Sequence, residues 1–173
     1  MKVEQIYTGC LAEAAYYIMS NGEAVVIDPL RETTPYTKRL EADKATLKYI
    51  FLTHFHADFV SGHLDLAKKT GATIVFGPTA ETGFDFHSGA DNEEFLIGDV
   101  KLKLIHTPGH TLESSCYLLY DKNNKELVVH VPAENFGKKL IAVGTATFYL
   151  NRLIYISIHV NQSQYLLIKF KRF

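Results

Sequence analysis

Tryptophan is absent from this 173-residue chain, cysteine occurs only twice and proline only five times. The two cysteines, Cys10 and Cys116, lie far apart and outside any Cys-x-x-Cys pair. That excludes a structural zinc knuckle and a thioredoxin-like redox motif. Both are expected as free thiols in a reducing compartment, Cys116 as a small core residue. No segment holds about twenty unbroken apolar residues, the length needed to span a bilayer as a helix. The nearest, residues 140–160, is interrupted by Asn151 and Arg152. The opening Met1-Lys2-Val3-Glu4 has no apolar run behind a basic cluster, so a cytoplasmic location is expected. A net charge of −1 gives no reason to expect nucleic acid or an anionic membrane as partner. The length suits one domain with a real hydrophobic core.

Acidic residues are also missing from one region. All 19 lie in residues 1–134, whereas residues 135–173 hold none and carry six basic residues: Lys138, Lys139, Arg152, Lys169, Lys171 and Arg172. That composition break sets a basic, apolar tail, taken as 131–173, apart from residues 1–130.

What is present reads mainly as strands. Residues 3–7 form a short one. Apolar runs at 14–19 and 24–27 flank Ser20-Asn21-Gly22-Glu23, a hairpin signal because Asn and Gly tolerate positive φ. Thr34-Pro35 predicts a helix start, with a hydroxyl cap and a proline in the first turn, running to about residue 45. A buried strand at 47–52 leads into Thr53-His54-Phe55-His56-Ala57-Asp58. A helix is expected over 61–70, stopped by Gly71. A strand over 72–76 ends at Gly77-Pro78, and 79–92 reads as loop. Strands at 94–96 and 100–105 join at Gly98-Asp99; strands at 114–120 and 126–131 flank the turn 121–125. Two helices among many strands give an α+β class.

Chemistry concentrates in His54-x-His56-x-Asp58, directly after an apolar strand. Imidazole nitrogen and carboxylate oxygen suit zinc or iron(II). In an extended loop these three side chains would share a face. His110, in Thr107-Pro108-Gly109-His110-Thr111, is a second candidate ligand. Proline fixes one backbone angle of that turn and glycine allows an unusual one. His106 competes for the same role. His54, His56, Asp58 and His110 are thus the metal candidates. His63 and Asp65 start a helix nearby and are not read as ligands. Arg31 could meet an anionic substrate group or sit in a surface ion pair.

These two motifs together resemble the metallo-β-lactamase superfamily. The resemblance implies an αββα sandwich with a metal at one edge of its two sheets. The superfamily pattern continues with a histidine after the aspartate, a ligand of the second metal in two-zinc hydrolases; here that position is Phe59. The longer string His54-Phe55-His56-Ala57-Asp58-Phe59-Val60-Ser61-Gly62-His63, with Asp28-Pro29-Leu30-Arg31 upstream, resembles bacterial persulfide (sulfur) dioxygenases, many of which continue into a rhodanese domain. That resemblance covers residues 1 to about 129. It implies one Fe(2+) held by His54, His110 and an aspartate. It also implies oxidation of a low-molecular-weight persulfide, such as that of glutathione, to sulfite by O2. His56 and Asp58 would act as catalytic groups orienting a ligand or water. The alternative is a Zn(2+)-dependent thioester hydrolase of the glyoxalase II kind. A homodimer is compatible with the sequence.

The family's aspartate is expected in Thr-Gly-Asp-Thr, which falls on Val131-Pro132-Ala133-Glu134, with Ala133 at the carboxylate position. Glu134 is adjacent, but one step along a strand turns a side chain to the other face. After about residue 130 no family pattern continues. The sandwich is therefore expected to be incomplete in its C-terminal half. A reading frame shifted near codon 130 accounts for the break, and a divergent tail forming further strands is the competing reading. Low or absent activity follows, and an inactive remnant is the third functional reading.

Overall fold

The computed structural model describes residues 1–9 and 13–127, together with the backbone of two strands, Tyr155–Val160 and Leu166–Lys171, which pair antiparallel with each other. The sequence-based readings at Cys10, Ala133 and Glu134, and the nature of the tail, lie outside the described residues.

Period-two alternation builds the first sheet. Its strands are β1 (Lys2–Thr8), β2 (Glu13–Ser20), β3 (Glu23–Ile27), β4 (Thr46–Phe51), β5 (Thr73–Phe76) and β6 (His87–Ser88), in that spatial order. The first three are antiparallel; β3 to β6 run parallel. Asn21 and Gly22 take φ of 48° and 79°, the left-handed pair expected of a tight two-residue hairpin. Parallel neighbours need crossovers, and two helices supply them: α1 (Thr34–Asp43) between β3 and β4, and α2 (His63–Thr70) between β4 and β5. A second, antiparallel sheet holds β7 (Glu94–Ile97), β8 (Val100–His106), β9 (Ser115–Tyr120) and β10 (Glu126–Leu127), in the order β10-β9-β8-β7.

Alternate residues of the first sheet feed two cores. Tyr16, Ile18, Val25, Ile27, Phe51 and Val75 face the second sheet and meet Phe95, Ile97, Leu102, Leu104, Tyr117 and Leu119. Their neighbours Tyr17, Val26, Ile50 and Ile74 pack the other way, with Tyr36 and Leu40 of α1 and Leu66 of α2. The layers are helix, sheet, sheet: the metallo-β-lactamase-like sandwich expected from the sequence, with no helix on the outer face of the second sheet among the described residues. Phe51 is fully buried at the centre of the inter-sheet core, its ring 5.0 Å from Phe95 and 4.8 Å from Tyr117.

Several boundaries differ from expectation. The α1 N-cap is Thr33, one residue earlier than predicted, and its hydroxyl accepts from Lys69 Nζ at 2.6 Å instead of capping the helix. The second helix starts at His63, not residue 61, because the Ser61 hydroxyl is bonded to the Pro29 carbonyl. Gly71 ends it with φ of 75°, as expected. Within the predicted loop 79–92 lies β6, whose two residues pair with β5. Gly98, φ 53°, turns β7 into β8. Among the described residues no helix is long and apolar enough to cross a membrane.

Phe51→Ala empties the middle of the inter-sheet core. It should lower the unfolding free energy by about 3–5 kcal/mol, read from urea denaturation.

Candidate metal site

The carboxyl ends of β3, β4 and β5 and the β8–β9 connection come together at one edge of the sandwich. β3 ends in Asp28, held by its amide to the Phe51 carbonyl at 2.9 Å. β4 runs through Leu52 into Thr53, whose carbonyl accepts from the Ser115 amide at 2.8 Å. The Tyr117 hydroxyl donates to the Leu52 carbonyl at 2.9 Å, fixing the same strand end to β9. Gly77 follows β5. A Cβ there would meet Ser115 Oγ at 1.9 Å and the Glu113 carbonyl at 2.5 Å, so only glycine lets these segments touch.

His54 is 8% exposed and its protonation pattern is set by its neighbours. Asp28 Oδ1 accepts the Thr53 amide at 2.8 Å and Oδ2 accepts the Thr53 hydroxyl at 2.7 Å. That hydroxyl has one proton, committed to Asp28. At 2.9 Å from His54 Nδ1 it can therefore only accept, so Nδ1 carries the proton and Nε2 keeps its lone pair. Burial pushes the His54 imidazole below the ordinary histidine pKa, and His56 adds to this. Neutral imidazole is the metal-binding form.

His56 and His110 complete a cluster of rings. The His54 ring lies 4.1 Å from that of His56 and 4.8 Å from that of His110, centroid to centroid. The His56 side chain is 8% exposed, and its Nε2 sits 3.0 Å from Asp28 Oδ1. That approach is close but not aligned as a hydrogen bond, and the nitrogen is left without a hydrogen-bond partner. A buried ring nitrogen of this kind fits a metal ligand. The ring of Phe59, where the superfamily carries a histidine, packs 4.2 Å from His56 and offers no donor atom. Asp58 is exposed at the end of the same loop. The structure thus brings His54, His56 and His110 together and leaves Asp58 towards solvent. Among the described residues no three His, Cys, Asp or Glu side chains already form an ion cage. Binding an ion would require these side chains to turn.

His106, the competitor of His110, is employed elsewhere: its Nε2 bonds to the Leu112 carbonyl at 2.8 Å, across the loop. Gly109 does not use the unusual backbone angle expected of it, since the glycines with positive φ are Gly22, Gly71 and Gly98. Hydrogen bonds shape this loop instead, from the Thr107 amide to the Ser114 carbonyl and from the Gly109 amide to the Thr111 carbonyl. Cys116 is buried, its Sγ 3.4 Å from the Thr107 hydroxyl, and burial raises its pKa. That is the small core residue expected.

Four residues here were not singled out from sequence. Asp28 and Thr53 form the relay just described. Glu113, 6% exposed, accepts the Phe55 amide at 2.9 Å. Glu13 is 8% exposed with both carboxyl oxygens unpartnered, and burial, with Asp28 and Asp58 nearby, lifts its pKa to about 8. His63 repeats the His54 arrangement: Ser61 Oγ donates to the Pro29 carbonyl and accepts from His63 Nδ1 at 2.9 Å, leaving Nε2 unpartnered. Of the four, Asp28 and Thr53 carried a sequence signal, Asp28 in the Asp28-Pro29-Leu30-Arg31 string and Thr53 at the head of the His54-x-His56-x-Asp58 motif.

Comparisons with known proteins agree with this architecture. A family model described as the metallo-beta-lactamase superfamily matches residues 8–129. A probable hydroxyacylglutathione hydrolase of Schizosaccharomyces pombe is 27% identical over 146 residues, covering 82% of this chain and 57% of that protein. A metallo-beta-lactamase structure from Staphylococcus aureus subsp. aureus COL is 34% identical with a TM-score of 0.66, covering 74% of this chain and 41% of the other. The structure of ETHE1 from Myxococcus xanthus is 29% identical with a TM-score of 0.62, covering 69% and 54%. The chain spans about half the length of these relatives.

Thr53→Val keeps the shape but removes the hydroxyl, so His54 should lose its fixed tautomer, seen in its ring 15N shifts, and metal affinity should fall about tenfold. For Glu13 the folded pKa of about 8 exceeds the ordinary 4.5, so the folded state holds the extra proton between these values. Stability of the chelator-treated protein should fall as pH rises from about 5 to about 8, and Glu13→Gln should flatten that slope in Tm measurements.

Proposed function

Since the chain belongs to the metallo-beta-lactamase superfamily, we propose that its three-imidazole corner is a mononuclear divalent-metal centre serving hydrolysis of a glutathione thioester. The observation that carries the metal centre is the convergence of His54, His56 and His110, remote in sequence, with His54 Nε2 kept as a lone pair. The substrate class is suggested by curated relatives named for hydroxyacylglutathione hydrolysis.

In this reading His54, His56 and His110 would hold the metal. A bound Zn(2+) would acidify water and polarise the thioester carbonyl. Asp28 and Thr53 hold the His54 proton on Nδ1, so the opposite nitrogen stays available throughout. Asp58, exposed at the end of the same loop, would orient the attacking water, take its proton and return it to the thiolate released as the C–S bond breaks. Phe59 excludes water from one face of His56 and leaves no imidazole for a second metal.

That last feature also favours a second reading. A single-metal site bearing the string from His54 to His63 suits Fe(2+)-dependent oxidation of a glutathione persulfide by O2. The carboxylate this reading needs falls on Ala133, outside the described residues.

Metal analysis of protein purified anaerobically separates the readings. The expected result is about one equivalent of zinc and release of glutathione from a thioester, with both lost in His110→Ala. Iron with oxygen uptake on glutathione persulfide, and no thioester cleavage, would replace the first reading with the second. A parent protein that retains no metal would defeat both.

A further inference from the structure

The loops bearing His54 and His110 come from different sheets, and the backbone pairs them at their base through the Ser115 amide and the Thr53 carbonyl, 2.8 Å apart. Beyond that point one side chain spans them. Glu113 Oε1 accepts the Phe55 amide at 2.9 Å, next in sequence to His54, from a position three residues after His110. We propose that Glu113 is a positioning residue whose reach sets the gap between the two histidine loops.

Several observations support this. The span is the right length for a glutamate whose backbone cannot retreat. The Gly77 backbone lies so close behind residues 113–115 that a single added carbon would strike the Glu113 carbonyl and the Ser115 hydroxyl. The Ser115 hydroxyl also donates to the Glu113 carbonyl at 3.1 Å, locking the residue's base. At the tip, the buried Glu113 side chain accepts the Phe55 amide. Bonds of this kind, with a charged acceptor, are shorter and stronger than neutral ones. The His54 and His110 rings stand 4.8 Å apart immediately beside this contact. The contact assigned to Glu113 is the one its Oε1 makes with the Phe55 amide.

The role of reach is tested with Glu113→Asp, which keeps the charge but is one methylene shorter, and Glu113→Gln, which keeps the reach but not the charge. Two measurements on metal-free protein read the loop geometry directly: the NOE between the His54 and His110 ring protons, and hydrogen exchange at the Phe55 amide. Cobalt(II) titration then reads the consequence, which rests on the metal-centre reading above. In Glu113→Asp the NOE should weaken, Phe55 exchange should accelerate, and the cobalt dissociation constant should rise about 10–100-fold. Glu113→Gln should keep the NOE and the slow exchange, with a smaller loss of affinity. Parent-like behaviour of Glu113→Asp in the NOE and exchange overturns the proposal, as does equal impairment of the two variants. If the parent itself binds no cobalt, the metal-centre reading falls, and the NOE and exchange data still decide the role of Glu113.

Discussion

A single carboxylate governs the geometry of this edge of the sandwich. Asp28 accepts both the amide and the hydroxyl of Thr53 and stands against His56 Nε2. It does so from a left-handed backbone conformation, φ 50°, which costs a non-glycine residue of the order of 1–3 kcal/mol and persists only where surrounding contacts enforce it. Those contacts are visible: its amide is tied to Phe51, and the next residue, Pro29, gives its carbonyl to the Gly62 amide and the Ser61 hydroxyl. Gly62 is obligatory there, because a Cβ would lie 2.1 Å from the Leu30 carbonyl. The Asp28-Pro29 dipeptide thus orients two imidazoles through two hydroxyls, His54 by way of Thr53 and His63 by way of Ser61. Release of this corner would free the proton positions of both rings at once.

How far the sequence foretold this depends on whether a signal was local. The hairpin at Asn21-Gly22 and the stops at Gly71 and Gly98 were legible because each needs a positive φ that few residues accept. The apolar runs at 14–19 and 24–27 were legible as strands, but not that their alternate residues feed two separate cores. The helix starts were misjudged by one and two residues because the hydroxyls of Thr33 and Ser61 were engaged by Lys69 and Pro29, partners distant in sequence. Strand β6 was missed because two residues carry no periodicity; it exists only by pairing with β5. Sequence could nominate His54, His56 and His110 by residue type, but could not choose firmly between His106 and His110. The Leu112 carbonyl, which occupies His106, supports His110. Glu113 was invisible for the same reason: a glutamate in a polar loop looks solvated until the Phe55 amide is placed against it.

Charge gives the cluster its strongest physical bias towards a cation. The carboxyls of Asp28 and Glu113 act on His54, and Asp28 and Asp58 act on Glu13. Among the described residues no lysine or arginine forms an ion pair with any of these four acids. Buried carboxylates without positive partners are costly. In metal-free protein the cost is met at Glu13 by a proton, which is what a pKa of about 8 expresses. A divalent ion among the imidazoles would do the same for the whole group. The substitution at position 59 limits how far this goes: the Phe59 ring covers His56 and supplies no nitrogen. The surrounding charge therefore favours a cation, while the donor set favours one ion rather than two, so the choice of chemistry falls to the remaining ligands and to the substrate that the site admits.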